Sequence, residues 1–459
     1  MLTLVATTIC ILSAVAYFFA RGRSISLAAA AGARNHSLPS YHGAYVALWT
    51  GLPSFILVLA WLLLQRPVID QLLLASLPEQ IVTGLDPGRI SLLLSEIKSI
   101  ARGQVFGDPD PALVAAGQRY LAWSAIAGWA MVAAGTAAAL VGLVVARSRI
   151  RPEFRARHGV ERILSILMIF CAIIAIVTTL GIIVSLVVEA SRFFARVPFT
   201  EFLFGLNWEP QIPIREDQVA GLGAFGAVPV FLGTVLVAAM AMLVAVPVGL
   251  FSAIYLAEYS GPRFRATIKP VLEILAGIPT VVYGFFAVLT VAPALRQFGA
   301  LIGLDVAPNS ALAAGGVMGI MIIPFVSSLS DDAISAVPGA MRDGSYALGA
   351  TQAETIKQVL IPAALPGIMG GVLLAASRAI GETMIVVMAA GLIATMTINP
   401  LESVTTVTVQ IVTLLIGDTE FDNPKTLAAF ALGLVLFVVT LGLNVLALHI
   451  VQRYREKYE

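Results

Sequence analysis

Residues 330–384 read SDDAISAVPGAMRDGSYALGATQAETIKQVLIPAALPGIMGGVLLAASRAIGETM, and the contrast between their two halves decides the fold. From Gly367 the chain is apolar through Met396, long enough to cross a bilayer core, which takes about 20 residues. Residues 330–366 are too polar to span and too patterned for a random linker. Pro338 and Gly339 predict the end of a short helical piece that Ser330 could cap. A second helix follows over Met341–Leu348, and Gly349 is placed to stop it. Thr351 and Glu354 have the spacing of a capping box, opening a third helix through Leu360 with Ile356, Val359 and Leu360 on its apolar side. Pro362 and Pro366 then punctuate the return to the membrane.

The same apolar length recurs outward from this stretch. Nine spans are expected, at 2–20, 44–64, 119–146, 162–188, 228–257, 269–293, 310–329, 367–396 and 427–450. With 59% hydrophobic and 12% charged residues, this is an all-α polytopic membrane protein. A β-barrel would show short alternating segments, and none occur. The net charge of +1 carries little information, because the charges are sorted by loop. Arg147, Arg149, Arg151, Arg155, Arg157 and Arg162 cluster between the third and fourth spans, which marks that side as cytoplasmic. Counting from there places loops 21–43, 258–268 and 330–366 and the tail QRYREKYE inside, and the N-terminus outside. No basic residue precedes the first apolar run; Arg21 and Arg23 follow it, as in a retained span rather than a signal peptide.

The arginine-rich segment is the natural domain boundary. Residues 1–160 form a three-span extension with an external segment, 65–118, holding LDPG and FGDPDP turn signals; residues 161–459 form a six-span core. Gly367 and Gly371 make a small-xxx-small pair. Cys10 and Cys171 lie in separate apolar runs, as buried thiols rather than a disulfide. FLFGLNWEP, residues 202–210, reads as an external aromatic cluster at the membrane interface.

Arg378 and Glu382 are four residues apart, on one helical face extended by Gly371 and Ala375. Charge inside a span is costly unless it faces water, the bundle interior or a partner. Either Glu382 neutralises Arg378 and fixes packing, or both meet a solute. A guanidinium fork suits phosphate oxygens, and a carboxylate accepts from a protonated phosphate while repelling fully ionised sulfate. No G-x-x-x-x-G-K-[ST] occurs, so energy must come from a partner or an ion gradient. His36, His42, His158 and His449 read as interfacial, with no metal motif, and Asp331 with Asp332 as a solvated helix start. No nucleophilic constellation is present.

DGSYALGATQAETIKQVLIP, residues 343–362, resembles the EAA loop of ABC importer permeases. Gly349 takes the glycine position, Val359, Ile361 and Pro362 the closing ones, and Asp343, Gly344 and Ser345 replace the opening Glu-Ala-Ala. Phe225–Tyr259, Pro270–Ala287 and Ser377–Met384 resemble the phosphate importer permeases; Gly-Glu-Thr-Met and FLFGLNWEP are closer to the PstC than to the PstA type. The resemblance covers about residues 160–459 and is similar in its extension to long-form members. It implies a six-helix permease core in a bacterial inner membrane, forming half of a phosphate pathway. It also implies a PstA-like second permease, a PstB-like ATP-binding dimer that carries the ATP, and a PstS-like external binding protein. No cofactor on this chain and no nucleic acid are expected. By that resemblance Arg378 and Glu382 line the pathway, and Asp343, Gly344, Ser345, Gly349, Thr351, Glu354 and Pro362 belong to the loop docking on the ATPase. Alternatives are a permease for sulfate or molybdate and an ion-coupled secondary transporter.

Overall fold

Nine helices are long and apolar enough to cross a membrane, among the residues that the computed structural model describes: 1–30, 32, 34–78, 81, 86–104, 110–210, 223–416 and 423–454. Helix is what lipid demands, since a spanning backbone must satisfy its own N–H and C=O groups. Their outer faces are unsuited to water. The helix over Ala156–Phe194 buries none of its most apolar window, exposing Ile166, Met168, Ile169 and Phe170.

By packing, the chain divides within that helix into two units, Met1–Val177 and Thr178–Glu459; sequence composition puts a boundary at the arginine-rich segment. In the first unit α1 (Leu2–Ala30), α2 (Pro39–Ala75) and α4 (Pro111–Ser148) pack mutually, and α3 (Pro87–Ala101) lies on α4. Val5, Ile9, Val58 and Met131 form one small core, and Ala16, Tyr45, Val46 and Ala146 another. Segment 65–118 therefore holds a helix, tied to α2 by a 2.8 Å Lys98–Asp70 ion pair. Of its turn signals, Asp86 and Pro87 open α3 and Asp110 caps α4 by accepting from Ala112 N at 2.9 Å. Leu85, residues 105–109 of the other turn, and the tail after Tyr454 lie outside the described residues. His42 is buried in α2 rather than interfacial, and both cysteines are exposed on apolar faces rather than buried. An apolar run in a membrane helix meets lipid as readily as core.

The helix crossing the division is α5 (Ala156–Phe194). In the second unit α6 (Phe199–Phe204) leads to a two-residue hairpin, β1 (Trp208–Glu209) against β2 (Ala224–Phe225), antiparallel with Trp208 opposite Phe225. Then come α7 (Val228–Ile254), α8 (Pro262–Ala276), α9 (Thr280–Phe286), α10 (Ala292–Leu301) and α11 (Ala311–Ser335). After them are α12 (Gly339–Ala347), α13 (Gln352–Thr355), α14 (Ile361–Ile380), α15 (Met384–Ala389), α16 (Val407–Leu415) and α17 (Pro424–Tyr454). Helices α7, α11 and α14 meet at the centre through Val237, Ala241, Val317, Met318, Ile322 and Ala375. The small pair is used there. A Cβ on Gly367 would lie 2.8 Å from Ala333 Cβ, and one on Gly371 2.9 Å from Leu329 Cβ, so α14 and α11 approach only because both are glycine.

Three π-turns, Tyr255–Tyr259, Ala287–Val291 and Ile356–Leu360, each close just before a proline: Pro262, Pro293 and Pro362. A widened turn absorbs the carbonyl that proline, lacking an N–H, leaves unserved. Several expectations change. Pro362 and Pro366 do not end the third loop helix at Leu360; helix runs from Gln352 to Ile380 as the eighth span. That span stops at Ile380, short of the expected Met396, and Ser330 sits inside α11 instead of capping a new helix. The sixth span also moves. Pro279 disfavours helix at Ile278, so α8 ends as a separate amphipathic helix with no buried residue, and the crossing helix is Thr280–Leu301.

Candidate functional site

The loop between α11 and α14 is built from local signals. Gly349 has φ +86°, a left-handed conformation that would cost a residue with Cβ about 1–2 kcal/mol. It turns the chain into Thr351, whose backbone N–H and hydroxyl donate to Glu354 Oε2 at 2.8 and 2.7 Å. Glu354 N donates back to Thr351 Oγ1, completing the capping box. Ser345 and Thr355 hydroxyls, 2.9 Å apart, join the two arms. Beneath them Ile334, Val337, Ile356, Leu360 and Ala364 form a core, with Met341 packed against it. Asp343, Gly344, Gly349, Thr351, Glu354 and Pro362 are exposed, Ser345 is half-buried, and Leu348 at the tip is 92% exposed. The predicted loop residues thus share one outward-facing structure, apart from Pro362, which lies about three turns into the span that begins at Gln352.

Two ion-pair groups at the root of this loop were not foreseen. Glu258, in the π-turn Tyr255–Tyr259 that continues α7, accepts from Arg342 Nη2 at 2.6 Å. Asp331 is not solvated: it is 2% exposed, and accepts from Arg265 Nη2 at 2.8 and 2.9 Å and from Lys269 Nζ at 2.8 Å. Lys269 also reaches Asp332 at 3.2 Å. The Asp331 hydrogen bond, the largest influence, raises the Lys269 ammonium above the usual lysine range despite some desolvation. Only the (i, i+4) spacing of Arg265 and Lys269 on α8 hinted at a shared anion.

Arg378 and Glu382 are not on one helical face. Gly381 terminates α14, so Arg378 lies in its last turn and Glu382 just beyond, outside the helix. Among the described residues no ion pair joins them. Arg378 is exposed, its guanidinium 5.9 Å from the Phe325 ring centroid. Glu382 Oε1 accepts from Met384 N at 3.1 Å, and its backbone carbonyl from Thr408 Oγ1 at 2.8 Å. A residue Gly-Glu-Thr before a Met-rich apolar run looks helical by hydropathy alone, which is how the break was missed.

The opposite end of the unit holds α16. Trp208 of the expected aromatic cluster is buried: it packs with Phe193, Phe202 and Phe225 and donates from Nε1 to Gln410 Oε1 at 2.9 Å. Buried Gln410 in turn donates to Leu392 O at 2.9 Å and Thr405 Oγ1 at 3.1 Å. The loop before α16 closes over the start of α11, with Ala311 N donating to Glu402 O and Leu312 N to Pro400 O. Hydrogen bonds from Thr397 and Asn399 hold the Glu402 carboxyl below the usual range. No group of three or more His, Cys, Asp and Glu could hold a metal among the described residues.

Fold and site together define a permease: a bundle of spans, a structured polar loop, and two charges at a helix break. Residues 245–456 match the family described as binding-protein-dependent transport system inner membrane component, and residues 6–178 one described as phosphate ATP-binding cassette transporter. A probable ABC transporter permease, YqgH of Bacillus subtilis, is 35% identical over 59% of this chain and 84% of its own. The phosphate transport system permease protein PstC of Mesorhizobium japonicum is 32% identical over 61% and 87%. A solved bacterial ABC transporter that imports alginate aligns with 66% of this chain at 15% identity and a TM-score of 0.44, too remote to add to the assignment. The chain belongs to the PstC-type permeases of phosphate ABC importers.

Proposed function

We propose that this permease forms half of a phosphate pathway in a bacterial inner membrane, with Arg378 and Glu382 contacting the solute. Loop 330–366 and the C-terminus face the cytoplasm and the N-terminus faces outward. A PstA-like chain supplies the other half, a PstB-like dimer binds and hydrolyses ATP against the loop, and a PstS-like protein delivers phosphate from outside. Asp343, Gly344, Ser345, Gly349, Thr351, Glu354 and Pro362 shape the docked segment. The chain binds no cofactor of its own.

The observation that carries this reading is the break at Gly381. Non-helical backbone among spanning helices is tolerated where it lines a cavity or is buried in protein. Here Arg378 stands in the last turn of α14 and Glu382 just past its end, with no ion pair between them among the described residues, which leaves both charges available to a solute. Arg378 supplies a permanent two-pronged donor for phosphate oxygens. Glu382 accepts from a protonated phosphate and repels a dianion that has no proton.

Uptake into vesicles holding the whole transporter tests it. Arg378→Lys trades a fork for a point charge and should cost about 1–2 kcal/mol, roughly tenfold in phosphate uptake, with the complex still assembled. Glu382→Gln should let sulfate compete. Unchanged uptake and selectivity in both variants would remove the pair from the pathway. Competition by sulfate or molybdate in the unaltered protein would reassign the solute, and uptake without ATP would reassign the energy source.

A further inference from the structure

We infer that Glu258 is a positioning residue through which the loop 336–351 grips helix α7, giving the loop a second mechanical output besides α14. The inference rests on the coupling role proposed above.

Both arms of the loop close on this one residue. The carboxylate, its side chain 5% exposed, accepts from Arg342 Nη2 at 2.6 Å, and Arg342 belongs to α12. The backbone carbonyl accepts from Gln352 Nε2 at 2.7 Å, and Gln352 opens α13. Local sequence makes that carbonyl available. In a continuing α-helix it would be served by the N–H of residue 262, and Pro262 has none. The π-turn instead pairs Ser260 N with Tyr255 O at 2.9 Å, leaving Glu258 O free. With Ser345 and Thr355 bonded across the arms, the loop is a closed frame whose root is Glu258 and whose exposed tip is Leu348.

Such a frame moves as a body. Its C-terminal arm continues without interruption into α14, which carries Arg378. Its root is fixed to α7, which packs along α11 through Val237, Ala241 and Ala245 against Val317, Met318 and Ile322. A displacement at the tip therefore pulls on both α7 and α14, which pack against α11 and against each other. Without the Glu258 bonds the loop would pull directly on α14 alone. A buried carboxylate left without its cation is strongly unfavourable, so the pair holds as long as the frame is intact.

The test uses the complete reconstituted transporter and reads three quantities: co-purification of the subunits, ATP hydrolysis, and inorganic phosphate taken up. Arg342→Met and Glu258→Gln should leave assembly and hydrolysis standing while phosphate moved per ATP falls by about fivefold or more, the size of a typical coupling term. The exchange Glu258→Arg with Arg342→Glu should recover a substantial part of that ratio. Gln352→Ala, which removes only the carbonyl's partner, should lower it less. A normal ratio in both single variants overturns the inference while leaving ATP-driven phosphate uptake intact. Loss of assembly in step with uptake, without recovery on exchange, overturns it in favour of a purely structural pair. Uptake by the unaltered transporter without ATP would instead overturn the coupling reading itself.

Discussion

At the scale of single residues, the strongest electrostatic arrangement is Asp331 between Arg265 and Lys269, because only the anion is buried while both cations keep about a third of their side-chain surface. Removing the shared anion leaves two cations facing a buried amide. Asp331→Asn should therefore lower stability by about 1–3 kcal/mol, less than for a fully buried pair, since solvent screens the cations. A lower melting temperature of the detergent-solubilised protein reports it. Lys269 gives a pH signature with a defined sign. Its folded-state pKa lies above the ordinary lysine value, so its contribution is fully present below about pH 10.4 and is lost as pH rises through the higher folded value. The melting temperatures of the unaltered protein and Lys269→Met should differ by a constant amount from neutral pH to mildly alkaline pH, then converge above that range. A gap that closes already near neutrality would mean the lysine is not held by Asp331.

Among elements, the loop is where sequence and structure agree most closely, and the reason is that its signals are local. Gly349 and the Thr351–Glu354 box specify a turn and a helix start through atoms within a few residues of each other. Gly349→Ala should raise the free energy of this turn by about 1–2 kcal/mol and Thr351→Ala by about 1 kcal/mol. Hydrogen exchange over residues 340–356 should then quicken by about five- to thirtyfold for Gly349→Ala and about fivefold for Thr351→Ala, while exchange in α11 stays unchanged. What the sequence misrepresented depended on longer reach or on proline in context. Pro362 reads as a helix terminator, but a π-turn carries the helix past it; residues 269–293 read as one span, but Pro279 divides α8 from the crossing helix. Arg378 and Glu382 stand out in the sequence as charges within an apolar run, yet Gly381 between them voids the (i, i+4) geometry. Glu258 with Arg342, and Trp208 with Gln410, are pairings across 84 and 202 residues that no local pattern encodes.

On the scale of the whole molecule, every residue given a role in solute contact, loop structure or anchoring lies in the unit Thr178–Glu459: Glu258, Asp331, Arg342, Arg378, Glu382 and Gln410 among them. The relatives are shorter than this chain: alignments taking in 84% and 87% of their length use only 59% and 61% of it. The first unit has its own cores and its own family match, at residues 6–178. A chain starting at Arg155 would therefore keep the machinery and lose three spans, an odd number, which would invert it if orientation were set by counting. Orientation is set by charge instead: Arg155, Arg157 and Arg162 would still precede the apolar run of α5 and hold that end on the cytoplasmic side. Such a chain, produced with the other transporter subunits, should insert with loop 336–351 facing the ATPase and take up phosphate within a few fold of the full-length rate. Protease accessibility of the loop in inside-out vesicles reports the orientation, and uptake reports the function. Correct insertion and assembly with no uptake would show that the first unit takes part in transport, and that the division seen in packing is not a division of labour.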